Sequence, residues 1–382
     1  MKKYDYILLG SGLAGLLTAY RMANDPWFDN KSIAIIDKEL KNKNDRTWCF
    51  WEKEEGEFNS ILSKKWDTAF IGNHDFEADF NMNPFFYKMI RSKDFYDLVY
   101  DLIAQKSNFS LFTDEIIDWQ TNFESVLVQG KQSNYTASFL ITSLFDAKRL
   151  LNQTKYPYLK QHFVGWFIKS KEPLFDDTVV KFMDFTIDQK GNTRFMYVLP
   201  TSPNEALFEY TLFSENLLEK SVYEQEIAGY LKNRGITDYE ISEKESGNIP
   251  MSCFRFDSQN TSRVLFIGTA GGWTKASTGF TFYNSVKKSK DLVSFLKTNK
   301  KLNQFSKRNR YWFYDLILLE VLYKNNERGA EIFGMLFQKN KIQDIFIFLN
   351  EEGTFYSDLK VMLQLPKWLF IKATFRALWK LV

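Results

Sequence analysis

Three features of the sequence predict an α/β protein made of a Rossmann-like nucleotide-binding domain, an inserted antiparallel β-sheet domain and a helical C-terminal region. A glycine turn joins two apolar runs near the start of the chain. Long extended segments fill its middle. A second strand–glycine–helix unit then appears late, as a nucleotide-binding domain does when its sequence is interrupted by an insertion.

Tyr4–Leu9 is an apolar run that leads directly into Gly10-Ser11-Gly12-Leu13-Ala14-Gly15, and Leu13 to Arg21 reads as a helix. Ser32–Asp37 follows as a second buried strand. In such a unit Gly10 permits the tight turn, Gly12 lets the backbone approach a pyrophosphate, and Gly15 lets the helix pack against the strand. The amides of Gly12, Leu13, Ala14 and Gly15 then face an anion at the helix N-terminus. Asp37, 22 positions after Gly15, stands where a carboxylate accepts hydrogen bonds from a ribose. Strand, helix and terminal acid together make this a dinucleotide site rather than a bare glycine turn.

Asp45–Glu52 mixes fixed charge with Trp48, Phe50 and Trp51 and reads as an aromatic loop that either packs on the sheet with its charges in water or, from its position after a strand, lines the cofactor crevice. Tyr87 to Gln105 reads as a helix, with Phe95, Leu98, Val99, Leu102 and Ile103 as its buried stripe. Arg91, near the start of that helix, is either a solvated cation or a cofactor contact. From Phe109 to Ser143 short β-like runs form a meander returning to the main sheet. The segments 163–168, 179–185, 194–200 and 206–213 then suggest an antiparallel sheet covering one face of the cofactor. Ser221 to Arg234 is helical and ends at Gly235.

Arg263–Ile267 is again a buried strand, and Gly268-Thr269-Ala270-Gly271-Gly272, Ser277-Thr278-Gly279-Phe280 and a helix over 281–296 follow. A second helix N-terminus aimed at the cofactor favours FAD over NAD. Residues 300–310 are strongly basic, and the terminal stretch 365–380 interleaves Trp and Phe with Lys and Arg. That stretch suits a helix lying at a membrane interface, or a packed terminal helix with a solvated basic face. The domain boundaries that follow are 1–150 and 261–299 for the nucleotide-binding domain, 151–260 for the substrate-binding sheet, and 300–382 for the helical region.

Composition narrows the function. A net charge of +3 over 382 residues argues against nucleic acid as the main partner. Two histidines, His74 and His162, leave no basis for a zinc site or Ser-His-Asp catalysis. Cys49 and Cys253 are too far apart to form a redox motif and are expected as free thiols in a reducing compartment. Asp5 breaks the apolar run after Lys2-Lys3, so that start does not read as a secretory signal, and no run reaches the ~18 apolar residues of a spanning helix. An aromatic share of 17%, with 37 Phe, provides π surface for a core, a membrane face or a greasy substrate.

The residues assembled here resemble the bacterial-type lycopene β-cyclase family of flavoproteins, over essentially the whole chain. The resemblance rests on 44–51 (NDRTWCFW), Met89-Ile90-Arg91-Ser92 with Asp94-Phe95-Tyr96, Met183-Asp184-Phe185 and Tyr197–Pro200. Ala206–Thr211, Glu245–Met251, Ser277–Phe280, Phe313-Tyr314-Asp315, Gly329 and Ile332-Phe333 extend it. The chain departs from the family pattern at Tyr210, where a second acid is common, and at Lys275-Ala276, where His-Pro is common.

The resemblance implies acid-initiated, non-redox ring closure of lycopene, needing reduced, non-covalent FAD with NAD(P)H as electron donor. The protein would then work as a peripheral protein on the cytoplasmic side of a membrane. Glu209 is the expected acid, and Asp184, Trp48 and Trp51 are further catalytic candidates. Gly10, Gly12, Leu13, Ala14, Gly15, Asp37, Arg91, Gly268, Thr269, Gly279 and Phe280 are the expected cofactor contacts. Asp45 and Arg46 are expected to pair and order their loop. A redox flavoenzyme of the same fold, a monooxygenase or prenyl reductase, is the alternative, and a non-catalytic carotenoid-binding flavoprotein is a third reading.

Overall fold

A computed structural model describes residues 3–53, 55–298, 300–305 and 308–381. The initial Lys2 and, from the basic 300–310 stretch, Ser306 and Lys307 lie outside the described residues. The chain begins with β1 (Lys3–Leu9), α1 (Leu13–Ala23) and β2 (Ile33–Asp37). Next come β3 (Thr47–Lys53), β4 (Lys64–Trp66), β5 (Thr68–Gly72), β6 (Glu77–Asn81), β7 (Phe85–Arg91) and α2 (Ser92–Ala104). β8 (Phe109–Thr113), β9 (Ile116–Thr121), β10 (Val126–Gly130), β11 (Asn134–Thr142) and α3 (Ala147–Leu151) complete the first part. The middle holds β12 (Leu159–Lys169), β13 (Val179–Asp184), β14 (Arg194–Ser202), β15 (Glu205–Ser214), α4 (Lys220–Asn233) and β16 (Glu240–Met251). The chain then forms β17 (Val264–Phe266) and α5 (Phe282–Leu296). It ends in α6 (Arg310–Lys324), α7 (Gly329–Lys339), α8 (Ile342–Leu349), α9 (Phe355–Met362) and α10 (Lys367–Trp379).

The first sheet runs β8-β2-β1-β11-β10-β9, with β17 beside the second half of β11. β8, β2, β1, β11 and β17 are parallel, as buried strands crossed by helices must be, and β9–β10–β11 is the antiparallel meander. β8 belongs to the parallel edge rather than to the meander. Its core lies under α1, α2 and α5, where Leu16, Leu17, Phe95, Val99 and Leu292 are buried.

The second sheet runs β16-β12-β15-β14-β13-β5-β6 and is antiparallel apart from the β13–β5 pair. β5 and β6 join it from residues 68–81, well before the other strands in sequence. One face packs on α4 through Trp166, Phe208, Tyr210 and Leu212. The other packs on α6–α8 and a small third sheet, β3-β7-β4, through Phe182, Leu207 and Phe213. Among the described residues no helix is long and apolar enough to cross a membrane.

Two sequence expectations are corrected. Residues 87–91 are not the first turn of a helix but the end of β7, the central strand of the small sheet, and α2 begins only at Ser92. Tyr87, Met89 and Ile90 are all buried because β7 is paired on both sides. The 45–52 aromatic stretch is likewise a strand rather than a loop, since Thr47–Lys53 pairs with β7 along its whole length. β16 escaped the sequence reading. It is an edge strand in which exposed and half-buried positions alternate and charged residues fall on both, so its composition resembles solvated surface.

Candidate active site

The glycine turn after β1 has the geometry its spacing predicts. Gly10 has φ +91°, and a Cβ there would stand 2.2 Å from Ser143 Oγ. A Cβ on Gly15 would stand 2.0 Å from the Gly10 carbonyl oxygen, so α1 packs as closely as only glycine allows. A Cβ on Gly12 would meet nothing within 4 Å, and Gly12 gives α1 no side-chain cap. The mouth of the turn is therefore open to an anion. Asp37 Oδ2 accepts hydrogen bonds from Ser11 N (2.5 Å) and Ser11 Oγ (2.8 Å), tying the end of β2 to the turn. The late segment meets the same helix: a Cβ on Gly268, at φ +60°, would lie 3.0 Å from Ala14 Cβ. Thr269 turns away, its hydroxyl 3.0 Å from that of Thr274, toward a polar cavity bounded by Lys275, Asp315 and Glu351.

The predicted acid lies in a different cavity, of about 130 Å³, between the second sheet, the small sheet and the 277–282 loop. Strand register builds it. Gly165 of β12 is opposite Glu209 of β15 on one side and Glu245 of β16 on the other. With no side chain at Gly165, the two glutamates face each other across it, and a Cβ there would lie 2.9 Å from Leu207 Cδ1 and 3.2 Å from Glu245 Cγ. Tyr197 of β14 is next in the row, and its hydroxyl lies 2.5 Å from that of Tyr87 on β7. Trp48, Phe182, Gly279 and Phe280 complete the wall, so both expected residues of the 277–280 loop reach the cavity.

Electrostatics separates the two acids. Burial, and then the nearby charge of Glu245, push the Glu209 carboxyl up to about 8, opposed only by a 2.6 Å hydrogen bond from Thr211 Oγ1. Burial also raises Glu245, but Thr47 Oγ1 donates to it at 2.7 Å and the Arg91 charge lowers it. Glu245 has cationic support and Glu209 has none, so the shared proton belongs on Glu209. Burial pushes the neighbouring Cys49 thiol up to about 12, keeping it an uncharged wall.

Other expected residues are placed differently. Asp184 does not reach the cavity. A bulge in β13 between Lys181 and Asp184 turns Phe182 and Met183 toward it and sends Asp184 to the α4 face. There its Oδ2 accepts from the Tyr230 hydroxyl (2.6 Å) and Arg234 (2.7 Å), a structural anchor for α4. Trp51 backs the cavity rather than lining it, stacked on Phe346 at 4.6 Å with its Nε1 donating to the Phe346 carbonyl. Arg91 is not free in solvent. It pairs with Glu243 at 2.5 Å, reaches Thr47 Oγ1 at 3.3 Å and covers the Phe167 ring. Asp45 and Arg46 form no side-chain pair. Asp45 accepts from Tyr96 and Ser92 and lies 3.4 Å from Lys41 Nζ, while Arg46 donates to the Asp45 main-chain carbonyl. Tyr210, the departure beside Glu209, faces α4 and accepts from Arg194, so it leaves the cavity acid unchanged.

Glu245 is the second acid of the cavity, and single-residue reasoning missed it. Its alternation along β16 was visible, but only the pairing across Gly165 turns it inward. Thr278 Oγ1 and Gln161 Oε1 in the cavity wall are buried without a partner. Together with the open mouth at Gly12, these orphaned groups fit a flavin nucleotide spanning from the glycine turn to the cavity.

Comparison with known proteins agrees with this geometry. The solved structures it resembles include a geranylgeranyl bacteriochlorophyll reductase-like protein from Thermoplasma acidophilum, with TM-score 0.62 and 12% identity over 98% of this chain and 100% of that one. A halogenase in complex with phloroglucinol and FAD has TM-score 0.58 and 12% identity, over 91% of this chain and 82% of that one. These likenesses establish the fold of flavin-dependent enzymes. A lycopene beta-cyclase of Pantoea ananas is 24% identical over 257 residues, 65% of this chain and 63% of that protein, so the match spans less than two thirds of the relative's length. The model of the lycopene cyclase protein family matches residues 5–375, and the chain belongs to that family.

Proposed function

We propose that this protein is a lycopene β-cyclase, closing the linear ψ-ends of lycopene to β-rings by way of γ-carotene to β-carotene, an isomerisation in carotenoid biosynthesis. The observation that carries the reading is a carboxylic acid held protonated in an aromatic cavity. Glu209, pushed up to about 8, delivers its proton to the terminal trisubstituted alkene and leaves a tertiary cation. The neighbouring double bond attacks that cation and forms the ring bond. The ring cation then loses a proton to the carboxylate pair, so one proton enters and one leaves. The rings of Trp48, Phe182, Phe280 and Tyr197 stabilise positive charge without trapping it, and the Glu245 carboxyl lies in the same wall.

Gly10, Gly12, Leu13, Ala14, Gly15 and Asp37, with Gly268, Gly279 and Phe280, are the residues that would hold FAD. Reduced FAD, with NAD(P)H as the electron donor, supplies an anionic surface beside the developing cation when it is bound. The exposed apolar face of α10 supports peripheral attachment to the cytoplasmic side of a membrane, where the substrate dissolves.

The test is incubation of purified protein with lycopene and reduced FAD, followed by chromatography and mass measurement. Ring formation at unchanged mass supports the proposal. A product that has gained hydrogen or oxygen at the expense of NADPH would instead place the protein among the redox enzymes of its fold.

A further inference from the structure

The cavity at Glu209 holds about 130 Å³, against the roughly 300–1,000 Å³ that encloses a drug-sized ligand. It has room for one reacting end of a long polyene, and the rest of the chain must leave it. Two further cavities border the 275–280 segment beside it. The polar cavity of about 300 Å³ is bounded by Lys275, Lys287, Asp315 and Glu351, and lining it with hydrocarbon would strip those charges of water. The other is an apolar chamber of about 70 Å³ that shares Phe182, Met183, Ser277, Thr278, Phe280 and Phe333 with the Glu209 cavity. Phe182 and Phe280, their rings stacked with centroids 6.3 Å apart, stand in the common wall.

The far side of this chamber is made by Leu336 of α7, Met362 of α9, and Leu365 and Phe370 at the start of α10. These same last helices turn exposed aromatic side chains outward: Phe355 and Tyr356 on α9, Trp368, Phe375 and Trp379 on α10. The chamber therefore continues the acid's cavity toward the face of the protein that presents apolar side chains to its surroundings.

We propose that this chamber is a second binding subsite, taking part of the unreacted remainder of a long, linear, apolar isoprenoid chain, and that Phe182 and Phe280 form the gate between it and the acid. The inference rests on the cyclase reading for the identity of the occupant. Met362 lies on the chamber's far wall and does not line the Glu209 cavity. Met362→Trp fills the chamber and Met362→Ala enlarges it.

Two hydrocarbon probes decide the matter: a forty-carbon linear polyene with two reactive ends, and a twenty-carbon polyene carrying one identical end. Met362→Trp is expected to lower kcat/KM for the long probe by about tenfold or more, mainly through KM, because lost hydrophobic contacts cost about that much. The short probe should change by less than twofold, and Met362→Ala, which removes contacts without blocking the chamber, should lower kcat/KM for the long probe by less than Met362→Trp does. Equal losses on both probes, or no loss on the long one, would overturn the subsite. The amount of coloured long polyene that stays with the protein through gel filtration gives a readout independent of turnover. If wild type cyclises neither probe, the cyclase reading fails. The subsite then stands if retention of the long polyene drops in Met362→Trp, and falls if retention is unchanged.

Discussion

At Glu209 burial and the Glu245 charge act together, and only the Thr211 hydroxyl opposes them. Replacing the carboxyl by the isosteric amide keeps the hydrogen-bonding shape and removes the transferable proton. Glu209→Gln should therefore fold and retain cofactor while losing ~10²–10⁴ in ring-forming rate, the range for a lost general acid. Near-normal product from the purified variant would take Glu209 out of the mechanism. The same carboxyl gives a pH signature with a definite sign. The folded chain keeps a proton that the unfolded chain releases near 4.5, so its contribution to stability is complete below that pH. It is lost as pH rises toward about 8, and activity should fall above about 8 as the acid ionises. His162 acts in the opposite direction. Buried against Tyr223 and Ser214, it is lowered from 6.5 to about 4, and its contribution is lost as pH falls through that window. Thermal unfolding from acid to mildly alkaline pH, with Glu209→Gln and His162→Asn as controls, should show each slope flatten in its own variant. Glu209 was legible only through the family resemblance of Ala206–Thr211, since a lone glutamate in an apolar strand reads by itself as an exposed edge residue. Glu245 was not, because it sits in a run that reads as charged surface until the register with Gly165 is known.

The elements show where periodicity serves and where it fails. The stripe Phe95, Val99 and Ile103 marked α2 correctly, yet the same apolar texture one turn earlier belongs to β7. Tyr87–Ile90 is too short to distinguish a buried strand from a helix by pattern alone. The bulge in β13 was equally invisible: simple alternation from Phe182 would have put Asp184 beside Phe182 on the cavity face, whereas one extra residue puts it under α4. Asp184→Asn should accordingly lower thermal stability, by unpairing Arg234 and Tyr230, while leaving the pH limb of activity set by Glu209 in place. α10 bears on a choice that composition left open. Ala373 and Ala377 are buried in the packed face toward the body of the protein, and Arg376 and Lys380 turn back to the buried Glu320. The outward face mixes exposed Lys367 and Lys372 with large apolar side chains, Trp368 and Trp379 being 79% and 81% exposed. Trp368→Glu, Phe375→Glu and Trp379→Glu combined should leave folding intact and sharply reduce sedimentation with liposomes. Unchanged sedimentation would remove α10 from membrane attachment.

On the scale of the whole molecule, the glycine turn and the acid-lined cavity lie on separate sheets that meet at one loop. The parallel sheet presents the glycine turn, the antiparallel sheet presents Glu209 and Glu245, and residues 277–280 border the acid's cavity just before α5 returns to α1. The fold is shared with a reductase-like protein and a halogenase, so it does not by itself decide between redox and non-redox chemistry. The proton balance of the proposed reaction gives a test that does. Ring closure by Glu209 forms one C–H bond and one C–C bond, then breaks one C–H bond, and no electrons are transferred. Reductant added to generate reduced FAD should therefore be consumed once per cofactor, plus a slow background of reoxidation, while rings accumulate over many turnovers. The decisive measurement is the ratio of rings formed to NADPH oxidised, followed under anaerobic conditions as the enzyme concentration is lowered. A ratio that climbs far above one fits an acid-driven isomerase with a reduced cofactor in a supporting role. A ratio that stays fixed at one ring or one reduced bond per NADPH would mean that electrons leave with product, and the carboxylate pair would then have to serve a redox reaction instead.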